Sequence, residues 1–312
     1  MTRTQSAPDP WVADIELSEE RAAGLIAQQF PQLAPFDVER IGEGWDNVAF
    51  IVNGAYVFRF PRRTVSAKLI ETEMRVLPLI AARLPLPISA PTLVGTPSAE
   101  YPWHFAGYAM LGGVTLSSMR PDDGCYAELA ATLGRFLRAL HSIECAPLIA
   151  VGLPPDEIGR FDYVRTLEKL RQRLDYLEDI GALDNAAAIV RFVESLAPIA
   201  PRRGDLTLTH GDLYARHVLV DEQIRATAII DWGDVHFGEP AADLTILFSL
   251  IPPGARPHFF EAYGAIDEVA LRLARYRAVY HAALVAHYGH RIGDGDLTHA
   301  GLRGLAMACE QV

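Results

Sequence analysis

The stretch THGDLYARHVLVDEQIRATAIIDWGD, residues 209–234, gathers the densest cluster of reactive side chains in the chain: His210, Asp212, His217, Asp231 and Asp234. Two short apolar runs lie among its polar loops, and the loops carry most of the reactive groups while the apolar runs anchor them. Asp212 and Asp231 stand nineteen positions apart on loops that flank an expected hairpin. Two carboxylates placed in this way can face one cavity. Such a pair suits phosphoryl transfer, in which one acid orients a hydroxyl and the other holds a metal on the phosphates.

Upstream, residues 37–60, DVERIGEGWDNVAFIVNGAYVFRF, hold two β-branched and aromatic runs joined by Asn53-Gly54, a strong hairpin signal. Residues 66–84 read as a helix that Pro85 and Pro87 terminate, and a further extended region at 92–110 stops before Gly112-Gly113. The N-terminal third is thus strands with one main helix. Beyond it the period changes. Leu129, Leu133, Phe136, Leu137 and Leu140 form a helical stripe over 122–144, with Asp122 or Asp123 placed to cap it. Residues 162–180 and 183–196 repeat the helical pattern, and helices resume from about Asp243, broken at Pro252-Pro253-Gly254 and at 293–295. The expectation is an α+β, bilobal chain: a small β-rich lobe over 1–110 and a larger, mainly helical lobe over 111–312.

The 312 residues suffice for a sizeable core, and half of them are hydrophobic. A formal charge of -11 argues against nucleic acid as partner and fits a cationic small substrate. MTRTQSAPDPW at the start lacks a signal-peptide core, and nothing later reaches the length of a membrane span. The three cysteines show no CxxC spacing, which fits a reducing cytoplasm and no membrane partner.

These pieces have a family likeness. His210-Gly211-Asp212, then Leu-Tyr-Ala-Arg, then His217, resembles the catalytic loop of aminoglycoside phosphotransferases and their macrolide relatives. Asp231 in IIDWGD resembles their metal-binding acid, and GEPAADL with Asp243 resembles the family's next segment beyond that acid. IGEGWDNVAF and YVFRFPRR look like the family's phosphate-covering hairpin and third strand. The motifs keep the family's order over about residues 38–250. The resemblance implies a protein-kinase-like fold that binds ATP or GTP and Mg²⁺ between its lobes.

By that resemblance Asp212 is the catalytic base, and Asp231 and His217 hold the metal. Many members carry Asn where this chain has His217, and an imidazole is a poorer match to Mg²⁺ than an amide oxygen. Arg59 stands where kinase-like enzymes present a lysine to the nucleotide phosphates. Its implied partner is Glu73, with Glu71 as the fallback. Gly42 and Gly44 would let the hairpin backbone approach phosphates, and Ala109 and Met110 fall where the connector contacts the purine. Asp234 and Glu239 are the implied substrate contacts. His210 and Asp243 are expected to brace the loop. Each assignment has a local rival: an Asx turn for Asp212, a strand-end cap for Asp231, a packed loop histidine for His217, and a strand-edge arginine for Arg59.

No GxxxxGK[ST], HExxH or GxSxG occurs, which removes the P-loop, zinc-peptidase and serine-hydrolase signatures. The expectation is an enzyme, monomeric or weakly dimeric, that phosphorylates an aminoglycoside or macrolide hydroxyl. The alternatives are a kinase of a small hydroxylated metabolite and a non-catalytic nucleotide-binding relative.

Overall fold

The computed structural model describes residues 13–44, 46–196 and 206–310. The chain divides into two compact units, Met1–Leu79 with Ser89–Met110 and Ile80–Ile88 with Leu111–Val312. Among the described residues no helix is long and apolar enough to cross a membrane.

In the first unit α1 (Glu19–Gln29) precedes β1 (Val38–Glu43), β2 (Asn47–Val52) and β3 (Tyr56–Pro61); α2 (Thr64–Ile80), β4 (Pro91–Gly95) and β5 (Phe105–Ala109) follow. The five strands pair antiparallel in the order β1-β2-β3-β5-β4. Asn47–Val52 alternates partly buried with buried positions, as one packed sheet face requires. The β2–β3 turn forms where Asn53-Gly54 foretells it: both residues take positive φ, 55° and 62°, Ala55 N–H closes the turn onto the Val52 carbonyl, and three residues separate the paired Val52 and Tyr56. Asn53 also ties the turn outward, donating Nδ2–H to the Leu33 carbonyl and accepting the Asp37 N–H. Phe50, Phe58, Phe60, Phe105 and Tyr101 fill the core of this unit together with Leu25 and Ile26 of α1. Helix α1 is an addition to the expected strands with one main helix. Its signal was Ser18, whose hydroxyl caps Arg21 N–H.

The second unit opens with β6 (Val114–Thr115) and continues through α3 (Tyr126–His141), α4 (Ala146–Ala150), α5 (Tyr163–Asp179) and α6 (Ala186–Leu196). Four short strands follow: β7 (Thr207–Thr209), β8 (Val218–Val220), β9 (Ala226–Ile229) and β10 (His236–Gly238). Then come α7 (Ile246–Ser249), α8 (Arg256–Tyr263), α9 (Glu268–Ile292) and α10 (Gly295–Ala308). Strands β8 and β9 pair antiparallel, so the two apolar runs of 209–234 do make a hairpin, with β6 on its outer edge. Strand β7 pairs with β10 instead. Asp162, Asp267 and Asp294 cap α5, α9 and α10 by accepting N–H groups three residues on. The cap expected of Asp122 or Asp123 on α3 does not form. A 3₁₀ turn at Asp123–Cys125 intervenes, and the Asp123 carboxylate pairs with Arg303 on α10 instead. Helices α5, α6, α9 and α10 share one core of Leu170, Leu174, Val193, Val279, Ala283 and Leu305. This packing sets α9 beside the loop that follows β7, where His281 meets Asp212.

Candidate active site

The loop between β7 and β8 is held from beneath by one carboxylate. Asp243, fully buried, accepts the backbone N–H of His210 through Oδ2 and that of Gly211 through Oδ1, both at 2.8 Å. His141 Nε2 reaches the same Asp243 at 3.2 Å and meets Tyr263 Oη through Nδ1 at 2.8 Å. Burial alone would raise the Asp243 pKa. The hydrogen bond and charge of His141, with the Gly211 N–H, instead hold it below the ordinary aspartate value.

His210 is buried and neutral. Its Nδ1 accepts the Asp212 N–H at 3.3 Å, which leaves the proton on Nε2 to be donated to the Ile230 carbonyl at 3.0 Å. Burial pushes its pKa down. The imidazole therefore ties the β7–β8 loop to the segment after β9. Gly211 cannot be replaced cheaply. Its φ is +85°, and a Cβ there would lie 2.4 Å from the Asp234 carbonyl oxygen.

Asp212 faces outward from this pinned loop, its side chain 29% exposed. His281, on α9, lies 2.8 Å from Asp212 Oδ1 through Nε2. Burial lowers the His281 pKa, so the ring meets the carboxylate as a neutral donor. Burial would raise the Asp212 pKa as well. The hydrogen bond from His281 outweighs it and holds the carboxyl well below the usual range.

His217 lies between the two acids. Its Nδ1–H donates to the Asp212 carbonyl at 2.7 Å, and its Nε2 lies 3.3 Å from Asp231 Oδ2. A backbone carbonyl only accepts, so a neutral His217 turns its remaining lone pair toward the Asp231 carboxylate. Two acceptors at this range call for a proton or a cation between them. Asp231 itself adopts φ +62°, a conformation uncommon for a residue with Cβ, and its side chain is 44% exposed. Mg²⁺ takes few protein ligands and keeps waters and phosphate oxygens. The Asp231 carboxylate suits such a sparse set, and the His217 lone pair, a nitrogen donor, suits it less. Among the described residues no group of three or more His, Cys, Asp or Glu is arranged to hold a metal.

Asp234 and Glu239 lie apart from this pair. Asp234 Oδ1 is bound to Arg160 Nη2 at 2.5 Å, and the same guanidinium donates Nε–H to the Gly211 carbonyl at 3.0 Å and Nη1 to Asp156 at 2.6 Å. Asp234 thus helps to brace the loop from the side opposite Asp243. Glu239 is only 4% exposed, at the entry to the 3₁₀ turn Pro240–Ala242.

In the first unit, Arg59 on β3 pairs with Glu73 on α2 at 3.2 and 3.3 Å. Tyr108 on β5 donates its hydroxyl to Glu73 Oε2 at 2.8 Å, and the Arg59 guanidinium lies 5.7 Å from the Tyr108 ring centroid. Glu71, the fallback partner, pairs with Arg75 and His104. Gly42 and Gly44 are exposed, and a Cβ at either would meet nothing closer than 3.8 Å. Met110 N–H extends the sheet edge to the Ala55 carbonyl, one residue beyond Ala109. Trp45, inside the expected phosphate-covering hairpin, lies outside the described residues.

His281 and Arg160 escaped the sequence reading, as did the bond from Tyr108 to Glu73. No local spacing links these groups to the motifs they serve: His281 lies 69 positions from Asp212, and Arg160 lies 51 from Gly211. The one available signal was a histidine or arginine set among apolar positions of a helix or turn.

Residues 37–280 match the model of the phosphotransferase enzyme family. The chain belongs to that family. A curated relative, the uncharacterized protein YcbJ of Bacillus subtilis (strain 168), is 24% identical over 226 residues, 67% of each chain. Among solved structures, the GDP complex of wild-type aminoglycoside 2'-phosphotransferase-IIIa is 25% identical with a TM-score of 0.68, over 94% of this chain and 98% of that one. The GDP and kanamycin complex of APH(2″)-IIIa gives 25% and 0.65, over 92% and 97%. Macrolide 2'-phosphotransferase MphH from Brachybacterium faecium shares the fold at 21% identity and a TM-score of 0.61, over 92% and 97%. This phosphotransferase is therefore an enzyme with a hydroxyl acceptor, built on the bilobal protein-kinase-like fold.

Proposed function

We propose that this phosphotransferase moves the γ-phosphoryl group of ATP or GTP to a hydroxyl of a small molecule, with Asp212 as the base. The observation that carries the proposal is the state of Asp212: an ionised, outward-facing carboxylate on a loop pinned by Asp243, His210 and Arg160, with Asp231 across His217 from it. A carboxyl held well below its ordinary pKa is a weak base. Its main work is to accept the hydrogen bond of the acceptor hydroxyl and aim the oxygen at phosphorus. As the new P–O bond forms and the bond to the nucleoside diphosphate breaks, the hydroxyl proton passes to Asp212. Asp231 and His217 would hold Mg²⁺, which neutralises phosphate charge when bound. Arg59, fixed in direction by Glu73 and Tyr108, would contact the nucleotide phosphates. Gly42, Gly44, Ala109 and Met110 would lie along the nucleotide.

For the acceptor, aminoglycosides and macrolides are what the solved relatives are named for, and acid groups at Asp234 and Glu239 would serve a cationic sugar. A second reading, a hydroxylated metabolite, draws on where those acids stand. Asp234 is engaged by Arg160, and Glu239 is buried.

The test is Mg²⁺-dependent release of nucleoside diphosphate from ATP and GTP, with aminoglycosides, macrolides and hydroxylated metabolites as acceptors. Asp212→Ala is expected to lower acceptor-stimulated turnover by about 10²–10⁴-fold, the usual contribution of a positioned base. Turnover that survives the substitution would remove Asp212 from the chemistry. Nucleotide binding with no turnover and no metal dependence would mark a non-catalytic relative.

A further inference from the structure

Helix α9 carries two cationic or protonatable groups one turn apart on the side that meets the β7–β8 loop. His281 holds Asp212, and Arg277 precedes it by four residues, about 6 Å along the helix axis. Arg277 is only 6% exposed. Its guanidinium carbon lies 5.0 Å from the Tyr280 ring centroid, and that of Arg173, on α5, lies 4.7 Å from the same centroid. Stacking occupies the face of a guanidinium and leaves its N–H donors, which lie in the plane at its edge. Those edges lack acceptors. Among the described residues Arg277 makes no hydrogen bond or ion pair, and the buried Nη1 of Arg173 has no partner.

The Arg277 nitrogens are not sealed from solvent, and a largely buried cation whose donors meet only water there favours an anion that completes it. Burial, together with repulsion from Arg160, pushes the Arg277 pKa down to about 10, and the attractions of Asp212 and Asp234 fall short of offsetting this. The group stays charged at neutral pH all the same. Arg160 differs in kind: its donors are taken up by Asp156, Asp234 and the Gly211 carbonyl.

We propose that the edge of Arg277, beside the Tyr280 ring, forms a site for an oxyanion carried by the acceptor itself. The group is a carboxylate or a phosphate, about one helical turn from the hydroxyl received at Asp212. The acceptor is then a small hydroxylated anion, with Tyr280 forming part of the site wall. This rests on the reading of Asp212 as the group that receives the hydroxyl, and it selects the metabolite class over the cationic antibiotics.

The experiment keeps one six-carbon frame and varies its charge: gluconate for a carboxylate, glucose 6-phosphate for a phosphate, glucose for neither, and glucosamine with kanamycin for cations. Inorganic phosphate separates a site for a bare anion from one for an anion on a polyol. Binding is read from the melting temperature of the full chain at matched ionic strength, and turnover from release of nucleoside diphosphate. At least one of the two anionic sugars is expected to stabilise the protein, and glucose and glucosamine are not. Arg277→Met should raise the melting temperature of the free protein by removing the uncompensated charge, and should weaken anion binding at least tenfold. Arg277→Lys, which keeps the charge and loses the planar edge, should fall between.

Three results overturn the site: no anion binds the wild type at millimolar concentration, Arg277→Met binds anions as well as wild type, or kanamycin stimulates turnover equally in both. A fall of several degrees in the melting temperature of free Arg277→Met would make Arg277 a structural residue and have the same force. Failure of the underlying reading looks different. Anions would bind through Arg277 while Asp212→Ala leaves turnover unchanged.

Discussion

Asp212 stands between two imidazoles with separate duties. His217 is fixed by its bond to the Asp212 carbonyl and turns toward Asp231, whereas His281 donates to the Asp212 carboxylate. His281 thus acts through Asp212 as a positioning residue, setting the direction in which the free oxygen points. His281→Ala is expected to lower kcat by about 10²-fold, the cost of a small misplacement of a reacting group, and to leave the nucleotide KM in place. His281→Asn, which retains an N–H donor, should recover part of the loss. Equal changes in kcat and nucleotide KM, or no recovery with Asn, would assign His281 to general packing.

At the scale of elements, two strands and a helix converge on one ion pair. Strand β3 brings Arg59, α2 brings Glu73 and β5 brings Tyr108, whose hydroxyl occupies one oxygen of the glutamate. Tyr108→Phe removes a hydrogen bond to a buried charged group and should cost about 1.5–3 kcal/mol, measurable by denaturant unfolding. A higher nucleotide KM should accompany it, because Arg59 loses its fixed direction. An unchanged KM would separate the pair from nucleotide binding. The hairpin in this unit was legible because Asn53-Gly54 demands one backbone geometry whatever surrounds it. Helix α9 was legible only as a helix. Its buried Arg277 and His281 gain meaning from groups on distant segments, and periodicity carries no record of those.

Over the whole molecule, the β7–β8 loop depends on one depressed carboxyl. The folded pKa of Asp243 lies below its ordinary value, so its ionisation stabilises the native state above about pH 4 and that contribution is lost as pH falls through the folded value. Asp243→Asn should cost about 2–3 kcal/mol near neutrality, because it leaves a buried donor unmatched. The difference in melting temperature from wild type should shrink on acidification below about pH 4. A gap that is constant with pH would remove the charge from the explanation. The order of motifs was readable over about 38–250 because each is a local pattern, and the positions of Asp212, His217 and Asp231 around one point follow from the β8–β9 hairpin between them. The engagement of Asp234 by Arg160 was not readable, since it joins positions 74 apart with two helices and three strands between them.

The most direct measurement is the mass of the acceptor pool after incubation with Mg²⁺ and ATP or GTP, for wild type beside Asp212→Asn. One added phosphoryl unit is expected on a single acceptor with wild type, and none with the variant at equal protein and time. The same phosphorylated product from both proteins would contradict it.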